Sequence, residues 1–348
     1  MDYVFGNPPY VRVHNLGASF DRVKTFEFAR GGMTDLYLVF YEIGLKTLRP
    51  GGVLGYITPS SFFNSIAGAP LRNCLVRDNL LDKLVDLGHY QVFNATTYAT
   101  IVVLKKNRKQ ESTEVFEYDG LLKPIDFLRR DEFFFNDRFF FSSRENLKTL
   151  KEIFALGQSG TTFQVKNGFA TLADSFFIGE SLDFENTIPV VKASTGKWTR
   201  CLFPYADGRL IPYGELTRSP KLAAYYAKNV DRLKKRSLEN PNDWHGFGRS
   251  QGINDVGKSK VAVNSIVRNA DDLKLTLAPP GTGVYGGLYV LSDLSCEEIA
   301  ELARCEEFGR YVALLKKYMS GGYYAFSSKD LKTYLEYAYV KRKRTPRR

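Results

Sequence analysis

Four residues near the start carry the most chemistry. Asn7-Pro8-Pro9-Tyr10 combine a side-chain carbonyl, a backbone carbonyl stiffened by prolines, and an aromatic face. An exocyclic amino nitrogen on a ring is a poor nucleophile, because its lone pair is delocalised. Two acceptors aimed at its two N–H groups favour a pyramidal nitrogen with a localised lone pair. The Asn7 side-chain oxygen can be one acceptor and the Pro8 carbonyl the other. Consecutive prolines restrict the loop, so the acceptors need little reorganisation. Tyr10 offers a face on which a planar substrate can stack. An ordinary Asn-Pro turn beside a buried tyrosine uses the same residues, so the surrounding elements must separate the two readings.

Asp2 to Gly6 reads as a short strand ending in this turn. That places the tetrapeptide at the sheet edge where doubly wound folds bind ligands. Over 35–48, Leu36, Val39, Phe40 and Ile43 follow one helical face, and Arg49-Pro50-Gly51-Gly52 stops the helix. Val53 to Thr58 reads as a buried strand, Leu71 to Arg77 as a short helix, and Leu80 to Leu87 and Ala99 to Leu104 as further strands. This alternation predicts a parallel-type α/β sheet. Residues 105–111 form a charge run. Phe133 to Phe135 and Phe139 to Phe141 are expected to be buried at a domain junction. Beyond residue 160, short strands dominate, with longer helices near 219–236 and 295–318. Lys341 to Arg348 holds six basic residues and is expected to be a mobile tail or a phosphate-contacting arm.

The 348 residues suggest two domains, and 44% hydrophobic with 25% charged residues is ordinary globular composition. No run of about 18 apolar residues suggests a membrane span. The opening residues lack the pattern of a secretory signal, so a cytoplasmic location is expected. A net charge of +11 calls for an anionic partner, of which nucleic acid is the commonest. Four cysteines without a CxxC pair and three scattered histidines give no support to a metal site.

The stretches around the tetrapeptide resemble the N6-adenine DNA methyltransferases of the TaqI-like, gamma-class kind, including type IIG restriction–modification enzymes. DYVFGNPPY resembles motif IV, TDLYLVFYEIGLKTLRPGGVLGYITPSSF motifs V and VI, LRNCLVRDNLLDKLVDLG motif VII, and QVFNATTYATIVVLKK motif VIII. NGFATLADSFFIG, PVVKASTGKW, LIPYGE and SGGYYAFSSKDLKTYL resemble the family's target-recognition domain. The resemblance implies an α/β fold: the C-terminal half of a Rossmann-like methyltransferase sheet, strand order 4-5-7-6, followed by an α+β recognition domain. It implies a partial catalytic domain over 1–108, a connecting segment over 109–160 and recognition over 161–345. Double-stranded DNA is the implied partner and S-adenosylmethionine the implied methyl donor. Asn7 and Pro8 would accept from the target amino group, with Pro9 completing the loop. Tyr10 would stack on an extruded adenine, and Phe93 would contact the base's other face.

In the family, a glycine-rich cofactor loop and a ribose-holding acidic residue precede this tetrapeptide. Only six residues precede it here, so both are expected to be missing and no cofactor-binding residue is assigned. A complementary polypeptide supplying the S-adenosylmethionine half would pair with the open edge of the strand at 2–6. A gene fragment fits as well, and an inactive DNA-binding specificity module is the alternative function. Gly281 to Gly286 fits GxGxxG but precedes a strand-like run, so it reads as a turn. In the recognition half, Lys228, Arg232, Lys234, Lys235 and Arg236 lie along one helix candidate and are expected to contact phosphates. Arg249 or Arg268 could read guanine. No carboxylate cluster suggests a nuclease.

Overall fold

The computed structural model describes residues 1–344 apart from 13, 14, 16, 18, 19, 95, 96 and 108–110. Residues 345–348 of the expected basic arm and 108–110 of the charge run therefore lie outside the described residues. The chain divides into two compact units, Met1–Glu152 with Tyr311–Tyr324, and Ile153–Arg310 with Ala325–Arg348.

The first unit is built on a six-stranded mixed sheet. Its strands are β1 (Tyr3–Gly6), β2 (Val53–Pro59), β3 (Leu81–Asp86), β4 (Ala99–Lys105), β5 (Ser112–Tyr118) and β6 (Leu122–Arg129), ordered β1-β2-β4-β3-β5-β6. β1 runs parallel to β2, in register from Tyr3 opposite Val53 to Gly6 opposite Tyr56. β4 runs antiparallel to both β2 and β3. The first four strands thus follow the 4-5-7-6 order, and β1 is an edge. Tyr3 and Phe5 on that edge are 66% and 69% exposed. Within the stretch 109–160, expected to be a connecting segment, residues 112–129 extend the sheet: β5 pairs parallel with β3, and β6 pairs antiparallel with β5. Thr113, Val115 and Leu128 are buried there, but the charged residues between them hide the strand pattern.

Helix α1 (Leu36–Thr47) connects β1 to β2 and packs on the sheet through Gly44. A Cβ at Gly44 would lie 2.4 Å from Leu54 Cδ1 and 2.7 Å from the Tyr56 hydroxyl, so any side chain there would have to displace both to keep the helix this close. Tyr41, fully buried, shares a 2.9 Å hydrogen bond with Thr58 Oγ1. Helix α2 (Ala69–Arg77) follows β2. Phe133, Phe139, Phe140 and Phe141 are buried in the first unit's own core.

The 311–324 segment joins this unit through polar contacts. Lys316, 9% exposed, lies 3.1 Å from Asp86 and 3.2 Å from Glu117. The Tyr318 hydroxyl donates to Asp86 at 2.6 Å. Burial alone would lower the Lys316 ammonium, but Asp86 and Glu117 together hold its pKa above the ordinary lysine value. Its contribution to stability is therefore present below the unfolded-state value, about 10.4, and is lost as pH rises through the raised one.

The second unit carries an antiparallel sheet of 275–278, 260–263, 288–291 and 164–167, and a three-stranded sheet of 197–202, 187–192 and 283–285. Gly281 precedes the Gly283–Tyr285 strand and Gly286 follows it with φ +64°, so this GxGxxG run opens no helix. The helix expected at 219–236 is two, Pro220–Ala227 and Val230–Lys234. The Asn229 side chain donates to the Tyr225 carbonyl and competes with the helical ladder there. The helix expected at 295–318 likewise divides, into Cys296–Ala303 and Glu306–Leu314. Lys341 to Arg344, expected in a mobile tail, end the helix Ser328–Arg344. Lys341 is held there by Glu307 at 2.8 Å and Arg342 by Glu301 at 3.0 Å. No helix among the described residues is long and apolar enough to cross a membrane.

Replacing Lys316 with Met strands the Asp86 carboxylate, which is 2% exposed. The expected loss is about 3–5 kcal/mol of stability, read as a lower urea midpoint. Glu117→Gln, at a carboxylate 46% exposed, should cost under about 1 kcal/mol.

Candidate active site

The Asn7–Tyr10 loop is fixed at both ends. Its near end leaves β1 opposite Tyr56. Beyond it, the Val11 carbonyl accepts from Leu36 N–H at 2.8 Å, and Arg12 bridges Asp35 at the start of α1. Between these anchors Pro8 is buried, while Asn7 and Pro9 are exposed. The Tyr10 hydroxyl donates to the Ile57 carbonyl of β2 at 3.0 Å. Burial, with the Asp35 charge adding to it, pushes the Tyr10 hydroxyl up to about 12, so it stays a donor throughout the physiological range.

The Tyr10 ring meets Tyr37 edge-on, with centroids 6.3 Å apart and planes at 82°. It meets Phe93 the same way, at 5.9 Å and 78°. The two residues expected to cover opposite faces of a base are thus brought together, but they touch one another. A base between them needs two parallel faces, so Phe93 must turn away to admit one.

Sequence reasoning missed two groups here. Tyr37 is buried in the core, its hydroxyl 3.2 Å from Ser61 Oγ, and meets the Tyr10 ring edge-on. Asp35 precedes α1, and its Oδ1 is buried without a hydrogen-bond partner among the described residues. Burial raises the Asp35 carboxyl above the usual carboxylate range. An aspartate just before a helical apolar run was the available signal for that position.

The expected DNA contacts are used in different ways. Arg236 donates from all three guanidinium nitrogens to backbone carbonyls: Leu233 at 3.0 Å, Thr171 at 2.5 Å, Trp244 at 2.5 Å and Gly246 at 2.9 Å. That commitment corrects the expectation of a phosphate contact, because the guanidinium holds the fold instead. Arg268 forms a two-pronged pair with Asp272, and its hydrogen bonds hold that carboxyl at about 2. Arg249 donates to the Gly248 carbonyl at 2.9 Å. Arg232 bonds Ser175 Oγ, and Lys234 sits 5.3 Å above the Trp244 ring. Lys228 and Lys235 are exposed at the ends of the two short helices.

A mixed sheet with this loop at the carboxyl end of an edge strand is an α/β architecture that places the loop where such sheets bind ligands. The comparisons are more specific, since residues 1–93 match the Eco57I restriction-modification methylase family. The chain is 25% identical over 349 aligned positions to the type II restriction enzyme and methyltransferase RM.Eco57I of Escherichia coli, covering 82% of this chain and 35% of that protein. It is 27% identical over 297 positions to the type II methyltransferase M.XhoI of Xanthomonas vasicola, covering 70% of this chain and 51% of that one. The chain thus spans between a third and about half of these relatives' lengths. Its fold resembles that of the type IIL restriction-modification enzyme MmeI, solved in complex with DNA, with a TM-score of 0.58 at 10% identity over 84% of this chain and 41% of that one.

Arg236→Ala should destabilise the second unit by about 3 kcal/mol, because several carbonyls lose a charged donor at once. Lys228→Ala and Lys235→Ala should each stay within about 0.5 kcal/mol of the parent. Urea unfolding of the three variants checks the contrast.

Proposed function

We propose that this chain carries the amino-group-activating loop and the DNA-recognition part of a DNA adenine-N6 methyltransferase of a restriction–modification system. The observation that carries the reading is the Asn7–Tyr10 loop. Its Asn7 amide makes no hydrogen bond among the described residues, and its stacking residue is pinned to β2 through Ile57. The match of residues 1–93 to a restriction-modification methylase family supports it.

In this reading Asn7 Oδ1 and the Pro8 carbonyl take the two N–H groups of the target amine. That concentrates the nitrogen lone pair on the side facing the methyl donor. Tyr10 stacks on the extruded base, and Phe93 turns from its edge contact to cover the other face. The two carbonyls are preorganised, because the prolines between Gly6 and Tyr10 leave the loop little freedom.

The methyl donor of this proposal is S-adenosylmethionine. The Gly281–Gly286 run does not fit it, because a strand rather than a helix follows the turn, and no residue of this chain is assigned to hold it. We place its site on a complementary segment that pairs with β1, whose exposed Tyr3 and Phe5 leave an apolar edge open to another strand. Phosphate contacts fall to the exposed Lys228, Arg232, Lys234 and Lys235, with Arg249 and Arg268 as candidate base readers.

The test is transfer of labelled methyl to unmodified, mixed-sequence DNA. It should be run with this chain alone and with a segment bearing a glycine-rich cofactor loop supplied in trans. Asn7→Ala should lower transfer at least ~100-fold while leaving duplex affinity nearly unchanged; full transfer by this variant would remove Asn7 from the mechanism. A combined Lys228→Ala and Lys235→Ala change should flatten the slope of log K against log salt by about 2. An unaltered slope would take both lysines off the phosphates.

A further inference from the structure

A cavity opens in the first unit at the carboxyl end of β2. It has a volume of about 350 Å³ and is lined by Ser60, Ser61, Asn64, Tyr98, Lys316 and Tyr318 among others. None of Asn7, Pro8, Pro9, Tyr10 or Phe93 lines it, so it is separate from the place proposed for the methylated base.

Two of its lining residues each carry a buried polar atom that lacks a hydrogen-bond partner among the described residues: Asn64 Oδ1 and the Tyr98 hydroxyl. The Asn64 amide cannot simply be reversed. Its Nδ2 donates to the Leu315 carbonyl at 2.9 Å, and a carbonyl only accepts, so Oδ1 is fixed as an open acceptor. The Tyr98 hydroxyl can donate or accept. Neighbouring groups are already used. Ser60 Oγ donates to the Tyr98 carbonyl at 3.1 Å, and Ser61 Oγ lies 3.2 Å from the Tyr37 hydroxyl. The Lys316 ammonium is neutralised by Asp86 and Glu117. The Tyr98 and Tyr318 rings lie 5.6 Å apart at 36° and form an aromatic wall.

These properties select a ligand. An open acceptor and a neutralised lysine disfavour a phosphate. An aromatic wall favours a flat ring. The open acceptor wants an N–H, and the hydroxyl can complement a neighbouring ring nitrogen or carbonyl. Nucleobases carry that pairing on their edges. We propose that this cavity is a second nucleobase site, which takes an unstacked base of the DNA other than the one methylated. Extruding one base leaves its partner and neighbours without stacking, and such a site would hold one of them. The inference rests on the DNA methyltransferase reading for its substrate, and it deepens that reading by naming a second nucleotide contact.

The probe is a mixed-sequence single-stranded oligodeoxynucleotide, compared with the same length of strand made abasic. The parent chain should bind the base-bearing strand about tenfold tighter. Tyr98→Phe keeps the ring and removes only a hydroxyl that has no partner, so the thermal midpoint should hold or rise. The same variant should lose most of the base preference. Equal binding of both strands by the parent chain, or an undiminished preference in Tyr98→Phe, would overturn the proposal and leave the hydroxyl to a bound water. Each free deoxynucleoside monophosphate serves as a second probe, and tighter binding of one of them than of the strand would reassign the cavity to a small molecule. Base preference without methyl transfer, even with the cofactor-binding segment supplied in trans, would remove the methyltransferase reading alone, whereas transfer without base preference would remove this site alone.

Discussion

The parallel pairing of β1 with β2 is the constraint on which the site depends. Four residue pairs, from Tyr3–Val53 to Gly6–Tyr56, bring two carboxyl ends to one edge of the sheet. Asn7 therefore leaves β1 where Ile57 to Pro59 leave β2. Tyr10 can then fold back and donate to Ile57, a residue 47 positions away in sequence. Parallel strands need a crossover, and α1 supplies it. That helix docks through Gly44, and the backbone of Asp35 at its start closes the far side of the loop through an antiparallel β-bridge with Arg12. Sheet pairing, helix docking and loop geometry are thus one arrangement, and a shift in the β1–β2 register would move all three.

The positive charge of the chain is used more inwardly than its sum suggests. Arg72, 3% exposed, donates to the carbonyls of Phe62, Ser65 and Asp137. Lys260, also 3% exposed, donates to those of Asp255, Val256 and Lys258. Arg236 does the same in its own loop cluster. Buried carbonyls at irregular turns need donors, and a long cationic side chain satisfies several at once. The cost appears in the pKa values: burial brings the Arg72 guanidinium down to about 10 and the Lys260 ammonium down to about 8. Cations committed in this way stabilise loops and are lost to a nucleic-acid surface.

Legibility from the sequence followed the range of the interaction. The helix at 36–47 and the strands of 53–59, 81–86 and 99–105 show in apolar spacing, because their buried residues lie on one face or form an apolar run, whereas the strand at 2–6, which buries none of its residues fully, shows through its residue types and the Pro-rich turn after it. β5 and β6 did not show, since their buried residues are few and separated by charges. The single long helix expected at 219–236 failed at Asn229, where a side-chain bond to the Tyr225 carbonyl outweighs the periodicity. The basic end at 341–344 looked like a solvated tail because the sequence does not display Glu307 and Glu301, the carboxylates that hold Lys341 and Arg342 in the final helix.

The amino-acid sequence by itself determined the chemistry of the loop. An amide, two prolines and a tyrosine in succession define acceptors, stiffness and a stacking face, and all of these are properties of adjacent residues. It also determined that this loop follows a strand. Only the tertiary structure decided that Tyr10 is pinned to Ile57 and meets Phe93 edge-on, that Arg236 serves carbonyls, and that Asn64 and Tyr98 share a cavity. Lys316 meets Asp86 across 230 positions of chain. Such pairings arise from sheet order and chain return, and no local pattern of residue types encodes which distant carbonyl or carboxylate will lie within reach.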